Sequence, residues 1–181
     1  MVYSFASPRQ VAGFATTGVE SPVTSITESE LANARADWGN ALIEVSKAFD
    51  ESGIDAAVAA TNKALDALYG YELGPVLFKP TMAGGEQTFR TTRVGALAYF
   101  VGHNGDFPND HGFGLRGWRQ VESETAATFV QDDVAMWMGN VTFTDSSGGV
   151  TVVDKSWGYK KDAGGTLRIV LHHSSLPFEP S

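Results

Sequence analysis

The strongest constraint in this sequence is its C-terminal half, where four long β-forming runs are separated only by short turn-forming segments. The runs are 115–130, 135–144, 150–159 and 167–175, with Gln131-Asp132-Asp133, Ser146-Ser147-Gly148-Gly149 and Ala163-Gly164-Gly165 between them. β-Branched and aromatic runs joined by hairpin chemistry predict an antiparallel meander. Such a sheet has two faces to cover, and stretches such as Met136-Trp137-Met138 are apolar on both. Helices supplied by the N-terminal half can cover one face. The other is expected to meet a second subunit, making the chain a homodimer through its sheet.

The covering helices are legible upstream. Thr27-Glu28-Ser29-Glu30 is a capping box, and Leu31, Trp38, Leu42, Val45 and Phe49 then form one apolar stripe up to Gly53. A second helix is expected over 55–68, with Val58, Leu65 and Leu68 inward, and a third over 92–101, with Val94, Leu97, Ala98 and Val101 on one side. Residues 76–82 read as a short extended piece that Pro80 keeps at an edge, and 87–90 as a strand paired with it after the Gly84-Gly85 turn. Helices first and a long antiparallel sheet afterwards make an α+β fold. The order resembles the cone-shaped fold of the nuclear transport factor 2-like superfamily, whose curved sheet wraps a pocket capped by helices. Residues 1–25 are rich in Ser, Thr, Gly, Ala and Pro without periodicity, and are expected to be a flexible arm or linker ahead of a single domain over 26–181.

Composition narrows the partners. A net charge of −8 argues against nucleic acid or an anionic membrane surface, and no apolar run is long enough for a membrane span. The sequence has no cysteine, which removes thiolate nucleophiles and Cys-ligated zinc.

The last strand carries the polar residues that a buried strand has no structural need for. Arg168-Ile169-Val170-Leu171 runs straight into His172-His173-Ser174-Ser175. Regular alternation would put Arg168, Val170, His172 and Ser174 on one face and Ile169, Leu171, His173 and Ser175 on the other. The neighbouring histidines then face apart and cannot clamp one ion. His103 and His111, with Asp106 and Asp110, could surround a cation, but their spacing matches no zinc or calcium pattern, and a solvated loop is the plainer reading. His172 and Ser174, about 7 Å apart along one face, could share a small polar ligand; His172 could equally be a core histidine bonded across the sheet. Arg168 could steer an anion or neutralise a nearby acid. Taken alone, Tyr99 reads as a core tyrosine and Thr81 as an ordinary β residue.

The segment Leu167-Arg168-Ile169-Val170-Leu171-His172-His173-Ser174-Ser175-Leu176-Pro177 resembles the signature of the iota-class carbonic anhydrases, relatives of the calcium/calmodulin-dependent kinase association domain with the same cone fold. The resemblance continues through Leu77-Phe78-Lys79-Pro80-Thr81, Ala98-Tyr99-Phe100-Val101-Gly102, Asp110-His111-Gly112-Phe113 and Met138-Gly139-Asn140, and covers residues 32–178. Phe178 stands where members often have Tyr. The resemblance implies reversible hydration of CO₂ to bicarbonate and a proton, with no cofactor. A divalent metal such as Mn²⁺ or Zn²⁺ is the alternative, since some members are said to prefer one. Metal-free members are said to hold bicarbonate with a Thr, a Tyr and a Ser, which match Thr81, Tyr99 and Ser174. His172 and Arg168 join them as substrate-binding candidates from the presumed pocket face. His172, with an unperturbed pKa of about 6.5, is the expected proton acceptor. Two other readings compete: an isomerase or cyclase of the same fold, which would want a carboxylate base, and a non-catalytic oligomerisation domain of the kinase-association type.

Overall fold

The computed structural model describes residues 25–180. The arm expected over residues 1–25 therefore lies almost wholly outside the described residues. Among those described, the chain forms α1 (Glu28–Ser52), α2 (Ile54–Leu68), β1 (Leu77–Lys79), α3 (Arg93–Val101), β2 (Trp118–Gln131), β3 (Val134–Asp145), β4 (Val150–Lys161) and β5 (Leu167–Ser175). The strands make one sheet in the order β1-β5-β4-β3-β2, antiparallel except for the parallel β1–β5 pair. The fold is α+β, with the helices against one face of the sheet.

The capping box forms as expected: the Thr27 hydroxyl accepts from the Glu30 amide at 3.2 Å, and the Thr27 amide donates to Glu30 Oε2 at 2.7 Å. α1 buries Leu31, Trp38, Leu42 and Val45, and the sheet answers with an unbroken aromatic row. Trp137, Trp157, His172 and Phe78 are register partners across β3, β4, β5 and β1. Their ring centroids are 5.3, 5.6 and 4.5 Å apart in that order. The next row is Gly139, Lys155 and Ser174. Gly139 sits where β2 bulges at Ala126, and a Cβ there would lie 1.9 Å from the Glu124 carbonyl oxygen. The bulge bends the sheet at that point, and only glycine lets β3 follow it.

Two expectations are corrected. Residues 87–90 do not pair as a strand with β1. Gly85–Gln87 makes a 3₁₀ turn that the Thr88 hydroxyl closes onto the Gly85 carbonyl at 2.7 Å, and a single bond from the Arg90 amide to the Phe78 carbonyl remains. β1 takes β5 as its partner instead. The second correction concerns β5. Leu171 lies opposite Gly158 and Ile169 opposite Tyr159, so Val170 has no partner across the ladder. This bulge breaks the alternation. Ile169 turns inward with His172 and Ser174, and Arg168 leaves the face it was expected to share with them.

Candidate active site

Three hydroxyls from distant parts of the chain meet at the end of β5. Lys79, the last residue of β1, donates to the Ser174 carbonyl at 3.0 Å and fixes the end of β1 beside the end of β5. Pro80 then turns the chain, and Thr81 Oγ1 donates to Ser174 Oγ at 2.6 Å. Tyr99 arrives from α3, whose start is capped by the Thr92 hydroxyl accepting from the Gly95 amide at 3.2 Å. The Tyr99 ring stacks on Phe113 at 5.6 Å and meets Phe78 edge-on at 5.6 Å. Burial pushes its phenol well above the usual tyrosine range, with hydrogen bonds to the Met82 backbone and the Thr81 side chain offsetting part of the rise.

The hydrogen positions follow from these contacts. Thr81 spends its hydrogen on Ser174. The Ser174 hydrogen is then free for a ligand. The crevice they edge is tightly closed, too small for a water molecule as it stands, and combines the rings of Trp38, Phe78, Phe100 and Phe113 with the polar ends of Lys155 and His172.

His172 is at this site, but not as a free base. Its Nδ1 lies 2.8 Å from the Tyr69 hydroxyl and its Nε2 3.0 Å from Lys155 Nζ. Phe78 stacks on the ring at 4.5 Å. Burial pushes its pKa well below the usual histidine range. The imidazole is neutral with both nitrogens engaged, which is a different group from the proton acceptor expected near pH 6.5. Arg168 is not brought to the pocket. It donates to Asp162 Oδ2 at 2.8 Å and to the Asp66 and Ala67 carbonyls at 2.9 and 2.6 Å, satisfying the C-terminal end of α2.

Sequence reasoning did not assign Lys155 and Trp38, which line the crevice, or Tyr69, which stands behind His172, to the site. One signal was there: Lys155 falls between Val153 and Trp157 on the inward face of β4, a cation on an apolar row.

The loop around His103 does not gather a cation site. His103 Nδ1 is 2.9 Å from the Val101 carbonyl, and the two oxygens of Asp110 accept from Arg90 Nη2 at 2.9 and 3.1 Å in a buried pair. Among the described residues no three His, Cys, Asp or Glu side chains are grouped to hold a metal ion. No described helix is long and apolar enough to cross a membrane. His111 lines an open groove that reaches Tyr99 and Phe113 from outside, together with Met82, Asp110 and Arg116.

Comparison with known proteins shows the family. A metal-independent carbonic anhydrase of Nostoc sp. is 51% identical over 167 residues, covering 91% of this chain and 82% of its own length. The crystal structure of a cyanobacterial iota-carbonic anhydrase complexed with bicarbonate superposes with a TM-score of 0.86 at 51% identity, covering 90% of this chain and 100% of that one. A Xanthomonas campestris protein described as a calcium/calmodulin dependent protein kinase II association domain shares the fold alone, with a TM-score of 0.51 at 19% identity over 90% of this chain and 100% of its own. The sequence pattern of the metal-independent carbonic anhydrases matches residues 29–176, and the chain belongs to that family.

Proposed function

We propose that the chain hydrates CO₂ reversibly to bicarbonate and a proton at the Thr81–Ser174–Tyr99 cluster. The observation that carries this reading is the 2.6 Å contact between Thr81 and Ser174 at a small ring-lined crevice, with Tyr99 buried beside it. CO₂ is apolar until water adds to it, and the rings of Trp38, Phe78, Phe100 and Phe113 offer it apolar contact once side-chain movement opens the crevice. As the new C–O bond forms, charge builds on the oxygens of CO₂, and the Ser174 hydrogen meets it. A donor held ready for a developing oxyanion in a dry site contributes about 3 kcal/mol, or roughly 10² to 10³ in rate. The hydrogen bond that Ser174 accepts from Thr81 polarises the terminal O–H. Confinement of water and CO₂ adds a proximity contribution. The family is metal-independent by its description, and the residues assembled here supply hydrogen bonds rather than metal ligands.

The proton leaves by the groove at Tyr99, where the His111 imidazole is exposed. The His111→Ala protein is expected to hydrate CO₂ more slowly in dilute buffer and to recover when imidazole is added. An equal rate at every buffer concentration would remove His111 from the path. For the reaction itself the test is stopped-flow CO₂ hydration after exhaustive chelation. The full rate is expected to survive; a total loss that Mn²⁺ or Zn²⁺ restores would overturn the metal-free reading.

The active form is a homodimer through the outer face of the sheet. Phe129, Met136, Met138 and Val152 are exposed there, on strands whose opposite face is fully packed. An apolar surface of this kind on paired central strands fits a second copy of the same sheet. Light scattering at micromolar concentration should give twice the chain mass, and a monomer mass would refute the dimer.

A further inference from the structure

Lys155 is a lysine inside the pocket wall without a carboxylate to balance it. It lies opposite Ser174 in the β4–β5 ladder and is 4% exposed. Among the described residues its one hydrogen-bond contact is His172 Nε2, at 3.0 Å. The rings of Trp38, Trp157 and Phe143 surround the amine, at 4.1, 4.9 and 5.4 Å from Nζ.

The direction of the hydrogen bonds is set from the far end of the chain. An indole N–H can only donate, so Trp38 Nε1 donates to the Tyr69 oxygen, 2.9 Å away. The Tyr69 hydrogen is left for His172 Nδ1, at 2.8 Å. A neutral His172 that accepts at Nδ1 carries its own hydrogen on Nε2, and that hydrogen points at Lys155 Nζ. An ammonium there would set N–H against N–H, so the nitrogen accepts, and only an uncharged amine can accept. The opposite assignment leaves the buried Tyr69 hydrogen unspent. The ring faces of Trp38, Trp157 and Phe143 would attract an ammonium, but it would stay a buried charge with no counter-ion among the described residues and one hydrogen-bond acceptor, a worse account of four buried groups.

We propose that the Trp38–Tyr69–His172 chain holds Lys155 as a neutral amine, and that Lys155 thereby sets how tightly the pocket holds bicarbonate. This rests on the reading of Thr81, Tyr99 and Ser174 as the bicarbonate site. The amine keeps two hydrogens to offer a ligand oxygen without forming an ion pair. An ammonium in so dry a pocket would trap the anion it had helped to make, because opposite charges attract most strongly where water is absent. The facing groups carry no compensating charge. His172 on β5, Tyr69 after α2 and Tyr99 on α3 are neutral in this arrangement, β3 offers rings, α1 offers the Trp38 ring and, over Trp137, the further cation Arg35, and Asp110, whose charge reaches Tyr99, is spent on Arg90. Burial pushes the lysine and histidine pKa values down together, in line with this assignment.

The test is nitrogen-15 NMR of the whole protein labelled at its lysine side chains, with Lys155 assigned by its disappearance in Lys155→Met. A neutral-amine shift at neutral pH is expected for Lys155, and an ammonium shift overturns the proposal. In Tyr69→Phe, His172 is released to accept from Lys155, so the shift should move to that of an ammonium. The KM for bicarbonate in the dehydration direction should then fall about tenfold, the effect of placing a charge beside the anion. Lys155→Met removes a neutral donor and no charge, so that KM should rise only about two- to tenfold, the worth of one neutral hydrogen bond; a rise of about a hundredfold or more, the loss of an ion pair, would overturn the proposal even if Tyr69→Phe fails to fold. Ser174→Ala separates the two readings. It removes activity if the hydroxyl cluster is the site, while the neutral-amine shift of Lys155 should persist.

Discussion

The Ser174 hydroxyl receives one hydrogen bond and has its own hydrogen to give, and in the proposed reaction most of the chemistry turns on that hydrogen. Ser174→Ala should lower kcat/KM by about 10² to 10³, with the thermal midpoint nearly unchanged because the residue lies at a strand end. Thr81→Val and Tyr99→Phe act through Ser174 as well as directly. Their losses, measured by stopped-flow hydration, should therefore fall short of additivity when combined with Ser174→Ala, since members of one hydrogen-bond network couple. Full additivity would show that the three hydroxyls work apart. His172→Ala is a different kind of change. It hollows out the Phe78–Trp157 row and strands Tyr69 and Lys155. Urea unfolding should show a loss of about 3 to 5 kcal/mol, and a fall in activity would then reflect a damaged pocket rather than a missing proton acceptor.

The elements that build the site depend on two irregularities, the bulges in β2 and β5. Gly139→Ala would drive a methyl group into the Glu124 carbonyl, and either the bulge or the β2–β3 ladder must give way. A loss of about 3 kcal/mol or more is expected in chemical denaturation, and a change under about 0.5 kcal/mol would mean that the bulge is dispensable. The four long strands could be read from the sequence because composition and hairpin turns repeat the same message along their length. The bulge at Val170 could not, since a valine between Ile169 and Leu171 has no signature of its own; regular alternation therefore assigned Arg168 to the wrong face. The parallel partnership of β1 was equally hidden, because three residues carry too little periodicity to choose a partner. Thr81 and Ser174 are 93 positions apart, and only resemblance to known sequences joined them before the fold did. Lys155 stood visible on its apolar row, but its meaning comes from Trp38 and Tyr69, which any core would contain.

At the scale of the whole molecule, buried bases and buried phenols set the response to pH. Lys155 has an unfolded pKa of about 10.4 and a folded one held well below that by burial. Below about pH 10.4 the unfolded chain binds a proton that the folded chain refuses, so stability falls as pH drops, by about 1.4 kcal/mol per unit while the difference lasts. His172 adds a loss of the same sign below about pH 6.5. The buried phenols Tyr69, Tyr99 and Tyr159 act in the other direction, keeping protons that the unfolded chain sheds above about pH 10. Stability should therefore peak near pH 9 to 10, above the usual range of about 5 to 8. Scanning calorimetry should show the midpoint rising between about pH 7 and 9 in the native chain and staying nearly level in Lys155→Met. The three residues of β1 have a further consequence. Leu77–Lys79 clings to the sheet by one neighbour, with Leu77 59% exposed, and Thr81 follows directly behind it. So short a margin peels before the rest unravels, and when it does Thr81 parts from Ser174 while helices and long strands stay intact. On gentle warming the enzyme should fall silent before its circular dichroism changes, and should wake again on cooling.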